Sequence, residues 1–190
     1  MANSVSGRIG RLDFDFEHLP VKIVANRNCP EIKLAGLSVG PFDEGGEYET
    51  FYWVAAELEK SGVVHFREDE NLNVIRLNKL QWTERVQSAG QMAKLPDDFY
   101  PKLRRCLSDL KRDARAPEKM LENEKAKQLT RDIVSSRLRK IVSMASAPAQ
   151  TEQTLKNLTP EERFLYDKLY TFVNEWRTHV SRCDEVAETE

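Results

Sequence analysis

Three cysteines (Cys29, Cys106, Cys183) and three histidines (His18, His65, His179) are the side chains best suited to metal binding or nucleophilic chemistry, and their spacing supports neither. There is no CxxC pair, the cysteine number is odd, and the histidines are far apart, so neither a disulfide framework nor a zinc site is expected. P-loop, GxGxxG, GxSxG and HExxH patterns are absent. The segment Gly40-Pro41-Phe42 followed by Gly45-Gly46 is glycine-rich enough to cradle an anion. Pro41, however, offers no amide donor, and Asp43 and Glu44 would repel a phosphate, so a turn is the better reading. The carboxylate pairs Asp97-Asp98 and Glu161-Glu162 stand at the starts of helical patterns, where the macrodipole favours negative charge. Capping accounts for them, and no catalytic residue, metal or cofactor is expected.

Two basic clusters remain. Lys102, Arg104, Arg105, Lys111, Arg112 and Arg115 share one stretch, the best place for nucleic-acid contact. Asp109 and Asp113 interleave with them, and helical ion pairs are the commoner use of such a face. Arg137, Arg139 and Lys140 form the second cluster, for which an inter-subunit salt bridge is favoured. The aromatics Phe164, Tyr166, Tyr170 and Trp176 exceed what one narrow helical stripe requires. Core packing explains most of them, and interface anchoring the rest.

The element that must organise these residues is Lys119–Ala145. Leu129, Ile133, Val134, Leu138, Ile141, Val142 and Ala145 recur at helical steps, neither Gly nor Pro interrupts the run, and the charged residues fall on the other face. Such a helix is about 40 Å long and needs partners along its whole length. Part of it is expected to lie between subunits, with Leu129, Ile133, Arg137, Arg139, Lys140, Ile141, Tyr166, Tyr170 and Trp176 as interface candidates.

Around it, Leu80, Trp82, Val86, Ala89, Met92 and Ala93 outline an earlier helix, weakened by Gly90. Phe99, Leu103, Cys106, Leu107 and Leu110 outline another, with Pro101 in its first turn. SAPAQTEQTLKN (146–157) reads as a polar, mobile connector. A final helix opens on Thr159 at N-cap, Pro160 at N1 and Glu162 at N3, a capping box. Its stripe is Leu165, Leu169, Phe172, Val173, Trp176 and Val180.

The first third has a different period. LDFDFEHL alternates Leu12, Phe14 and Phe16 against acids, a strand signal or a docking peptide. VKIVA (21–25), EIKLAG (31–36) and VVHF (63–66) read as short strands, 39–49 as loop, and 51–62 as a short helix closed by Gly62. Its expected core is Val21, Ile23, Ile32, Leu34, Phe42, Trp53, Leu58 and Val63, and Gly40, Pro41, Phe42, Gly45, Trp53 and Gly62 form its structural motif. Residues 1–75 carry a net charge of −6 and the remainder +4, within a total of −2. The fold class that follows is α+β: a small β-rich domain over 1–70, a mainly α-helical bundle over 71–182, and an acidic tail over 183–190, with REDENLN as the linker. No apolar run approaches 18 residues and no signal-peptide core opens the chain, so an intracellular, non-membrane protein is expected.

With the helices laid out, the chain resembles a subunit of the GINS complex, the tetrameric factor of archaeal and eukaryotic replicative helicases. LPDDFYPKLRRCLSDL, the long ENEKAKQLTRDIVSSRLRKIVSMA helix and NLTPEERFLYDKL resemble the family's helical A domain. VKIVANRNCPEIKLAG, GPFDEGGEYE and WVAAELEKSGVVHF are similar to its small β-rich B domain. SRLRKIVSMA and NLTPEERFLY resemble the class with A before B, whereas the B-first order here points to the permuted class, the archaeal counterpart of the two smaller eukaryotic subunits. The resemblance implies a non-catalytic scaffold in a homo- or heterotetramer of GINS subunits. Its further implied partners are the MCM helicase and a RecJ-like or Cdc-type protein, in the cytoplasm of an archaeon or the nucleus of a eukaryote. DNA contact is secondary in this reading; the alternative is a stand-alone DNA-binding protein using the 102–115 face.

Overall fold

The computed structural model describes residues 4–34, 36–67, 71–87, 92–113, 116–147 and 150–181. Their backbone separates into two compact units. One comprises the chain up to Leu72 together with Pro101–Cys106, the other Asn73–Tyr100 and the chain from Leu107 onward.

In the first unit the strands form around β1 (Pro20–Ala25), whose Val21, Ile23 and Ala25 face inward at the two-residue period of a strand. β1 is the middle of a three-stranded antiparallel sheet, with β4 (Glu47–Phe51) on one side and β5 (Val64–Phe66) on the other. β2 (Ile32–Leu34) and β3 (Leu37–Val39) make a separate hairpin. α2 (Tyr52–Lys60) follows β4 directly and buries Val54, Ala55 and Leu58 against the sheet.

Several expectations for this unit are corrected. The LDFDFEHL stretch is not a strand but the end of α1 (Val5–Glu17), capped by Ser4, whose Oγ accepts from the Gly7 amide. The inward residues are Ile9, Leu12 and Phe16, spaced three and four apart, and the apparent alternation is a by-product of that spacing. Residues 39–49 are not all loop, because β3 ends there and β4 begins there. Trp53 and Leu34, expected in the core, are exposed. The core instead adds Ala25, Val39, Val54, Ala55, Val64 and Phe66 to Val21, Ile23, Phe42, Leu58 and Val63. Gly40 (φ +89°) and Gly62 (φ +70°) occupy left-handed backbone that a side chain disfavours, the latter just past the end of α2. Gly40 precedes a cis peptide bond to Pro41, and the Gly45 amide donates to the Ala25 carbonyl.

The second unit is built on α5 (Pro117–Ser146), 30 residues opened by a proline at its first turn. α3 (Val74–Val86) and α7 (Pro160–Ser181) pack on it. α4 (Phe99–Asp113), whose Pro101–Cys106 segment belongs to the first unit, buries the expected Phe99, Leu103 and Cys106. α3 begins earlier than the apolar pattern suggests, at the Asn73 cap, and buries Leu77 and Glu84 while Trp82 and Val86 lie outside. Met92 and Ala93 are buried but lie in irregular chain beyond it. The connector expected to be mobile contains α6 (Glu152–Leu155), capped by Thr151, and buries Leu155, with Leu158 buried just after it. Ala89, Gly90, Arg115, the middle of REDENLN and the acidic tail lie outside the described residues.

Candidate functional site

The long helix α5 does not bury the stripe that hydrophobicity alone selects. Its inner row is Leu129, Ile133, Arg137, Ile141, Met144 and Ala145, and Arg137 is 0% exposed. A charge in that position needs full compensation, since desolvating an ion costs several kcal/mol. It receives it from three directions. Its Nε and Nη2 donate to the two oxygens of Glu162, the latter at 2.6 Å; Nη1 donates to Glu84 Oε2 at 3.0 Å and the Ala93 carbonyl at 2.9 Å. Nη2 also donates to the Asn157 carbonyl at 3.2 Å. Five hydrogen bonds thus meet the five N–H donors of the guanidinium.

The surroundings complete the balance. Lys140 Nζ lies 2.7 Å from Glu84 Oε1 and donates to the Glu84 carbonyl at 3.0 Å. The Tyr100 hydroxyl donates to Glu162 Oε1 at 2.8 Å. Two cations therefore face two carboxylates. Burial pulls the guanidinium pKa of Arg137 down, but the hydrogen bonds and charge of Glu162, with Glu84, outweigh it and leave it above the ordinary value. Burial and the Glu162 carboxylate together push the Tyr100 phenol well above its usual range, so it stays a neutral donor.

Glu162 has a second task here. The Thr159 amide donates to its Oε2 at 3.1 Å, and the Glu162 amide donates to Thr159 Oγ1 at 3.4 Å, which is the expected capping box at the start of α7. The same carboxylate caps one helix and neutralises an arginine on another. The sequence signals the cap but not the partner, which lies 25 residues away.

These contacts correct the inter-subunit salt bridge expected of the 137–140 cluster. Arg137 and Lys140 spend their charge inside the protomer, and Arg139 alone of the three is exposed. Leu129, Ile133 and Ile141 are core residues, as is Tyr166, against which the half-buried Tyr170 ring stacks at 5.7 Å. Trp176, by contrast, is 61% exposed.

Trp176 belongs to a larger exposed apolar set. On α7, Phe172 (69% exposed), Trp176 and Val180 recur every four residues and so form one row. On α5, Val134, Leu138 and Val142 form a second row, each placed one residue after a buried one. The first half of α7 is anchored through Glu162 and Tyr166, while among the described residues from Thr171 to Ser181 only Val173 and Asn174 are even half-buried. Single exposed apolar residues are ordinary; rows of large ones mark contact surfaces.

The basic run on α4 is dispersed by its partners. Arg104 pairs with Asp13, and Arg112 lies 3.0 Å from Asp109. Arg105 pairs with Glu59, and its guanidinium lies 3.7 Å over the Phe66 ring centroid and 5.2 Å from that of Tyr52. Lys102 is half-buried, and Lys111 is exposed. Among the described residues no group of three or more His, Cys, Asp or Glu is placed to hold a metal, and no helix is long and apolar enough to cross a membrane.

Residues 71–180, the stretch from just before α3 to the end of α7, match the Sld5 family model, the GINS complex protein helical bundle domain. The chain belongs to the GINS family. The match covers more than half of this GINS subunit and includes both the buried ion network and the two exposed rows. No curated protein matches the chain. Membership makes it a protein of the DNA-replication complex of that name and makes other GINS subunits its partners.

Proposed function

We propose that this GINS subunit is a non-catalytic scaffold of a tetrameric assembly that binds and activates the MCM replicative helicase. In this reading the helical bundle joins sister subunits, whether copies of the chain or distinct ones, and the N-terminal β unit recruits the helicase or a RecJ-like or Cdc-type partner. The domain boundary is near residue 71, and the site of action is the archaeal cytoplasm or the eukaryotic nucleus.

One observation carries the reading: the Phe172, Trp176 and Val180 row on α7 stands uncovered in a family of complex-forming bundles. Burying a side chain of the size of Phe contributes about 1.5–3 kcal/mol, and interface energy concentrates in such anchors. The α4 cations favour this over the DNA-binding alternative, since Arg104, Arg105 and Arg112 already face carboxylates of the same chain.

The test is co-purification of the full chain with its sister subunits. Phe172→Glu with Trp176→Glu should weaken the assembly on the order of 1000-fold, two anchors of about 2 kcal/mol each, with helicity unchanged. An assembly of wild-type size and strength in the double variant overturns the reading.

A further inference from the structure

Within the N-terminal unit, the hydrogen-bond parity of the sheet leaves one strand edge open. The Ala25 amide donates to Gly46, and the Tyr52 amide to Leu19, so odd-numbered β1 residues bond toward β4. The Arg67 amide donates to Lys22 and the Asn26 amide to Val63, so even-numbered ones bond toward β5. In the register Val21↔Thr50 and Ile23↔Tyr48, residues 48 and 50 of β4 therefore face β1. The N–H and C=O of Glu47 and Glu49, and the N–H of Phe51, point the other way. Among the described residues no strand pairs with that edge.

A groove runs along it. Leu37, Val39, Pro41, Glu49 and Phe51 are among the residues that line it. Backbone groups free at every second residue, beside a groove whose lining mixes apolar and polar side chains, are what an extended peptide needs to add a strand. The charges choose its chemistry. Glu49, which lines the groove, has no cation within ion-pair distance among the described residues, although Lys22 stands opposite it on β1, and Asp43 and Glu44 precede the strand in the turn before it. Acids on an edge discourage two copies from pairing there, because antiparallel β4–β4 pairing brings carboxylates together. The same acids favour a basic strand.

We infer that the β4 edge of the N-terminal unit is a docking site for an extended segment of a partner protein that alternates basic and apolar residues. The inference names the surface for the recruiting role proposed above and rests on that role for its meaning. The peptide assay below, however, involves neither sister subunits nor helicase, so the two can fail separately.

The probe is a fluorescent octapeptide alternating Lys and Val, with its Glu–Val counterpart as control, titrated with the full chain. The Lys–Val peptide should bind saturably and at least tenfold more tightly, slowing exchange of the Glu47, Glu49 and Phe51 amides. Glu49→Pro should abolish binding while sparing the sheet, because that amide does not bond β1 and proline is tolerated at such a position. Glu49→Lys should reverse the preference between the two peptides, and it carries the test if the proline variant is unfolded. Equal binding of both peptides, undiminished binding by a folded Glu49→Pro, an unreversed preference in Glu49→Lys, or protection elsewhere overturns the proposal.

Discussion

Arg105 in the N-terminal unit and Arg137 in the helical unit are both arginines on helices flanked by other charges, and they end in opposite settings. Arg105 lays the flat face of its guanidinium on Phe66 and Tyr52 and turns one edge to Glu59, with its side chain 18% exposed. Arg137 uses only its edge, spending every N–H on carboxylate and carbonyl oxygens in a site that water does not reach. The first is held by attraction between a cation and ring faces, worth about 0.5–2 kcal/mol. The second balances a large desolvation cost against matching charges. Removing the first loses a contact, whereas removing the second leaves two buried carboxylates with one cation, Lys140, which reaches only Glu84.

The sharpest way to break this comparison is to replace both arginines by methionine, which keeps most of the volume. Arg137→Met should cost about 3–5 kcal/mol, because the buried Glu162 loses its counter-charge and Glu84 keeps only Lys140. Urea unfolding of the bundle is the measurement, and a loss below about 1 kcal/mol would show that the network carries no strain when opened. Arg105→Met should cost only about 1 kcal/mol, since methionine still packs on Phe66. A loss as large as that of Arg137→Met would place the two sites in one class after all.

The smallest effect sharpens the comparison at its polar edge. Tyr100→Phe removes one neutral donor to Glu162 and should cost about 1 kcal/mol near neutrality. Its pH dependence has a definite sign. In the unfolded chain this phenol ionises near pH 10.0, while in the folded bundle its pKa is raised. The folded state then holds a proton that the unfolded state has lost, so the stability Tyr100 contributes is full below pH 10 and falls as pH rises beyond it. The deficit of Tyr100→Phe relative to wild type should therefore shrink between pH 9 and pH 11. A deficit constant over that range would mean that the phenol titrates alike in both states.

Much of the architecture could be read before any coordinates. The long helix, the capping box at Thr159–Glu162, the β1 strand and the change of period near residue 73 all arise from local patterns, and local patterns are what a sequence displays. The misses share one physical cause. Arg137 looks like surface because a helical wheel assigns charge outward, and its acceptors lie 53, 44, 25 and 20 residues away. β4 was hidden because the glycines and proline before it overwhelm the weak alternation of EYETF, whose pairing with β1 is a long-range fact. Trp53, Trp82 and Trp176 are exposed although their size argues for burial, and only the packing of neighbouring elements decides such cases. Of the interface candidates, Trp176 and Arg139 are the ones that face solvent in the protomer.

The five-bond setting of Arg137 also acts as a ruler. A seam of leucine and isoleucine tolerates a slip of one turn between neighbouring helices, about 5.4 Å, because one apolar side chain replaces another. The guanidinium does not, since at any other offset it meets no carboxylate and remains charged in an apolar interior. The alignment of α3, α5 and α7 along their axes is thus measured from one atom group, as is the placement of the rows on α5 and α7. The spacing a sister subunit would meet at the surface is set in the dry centre of the bundle.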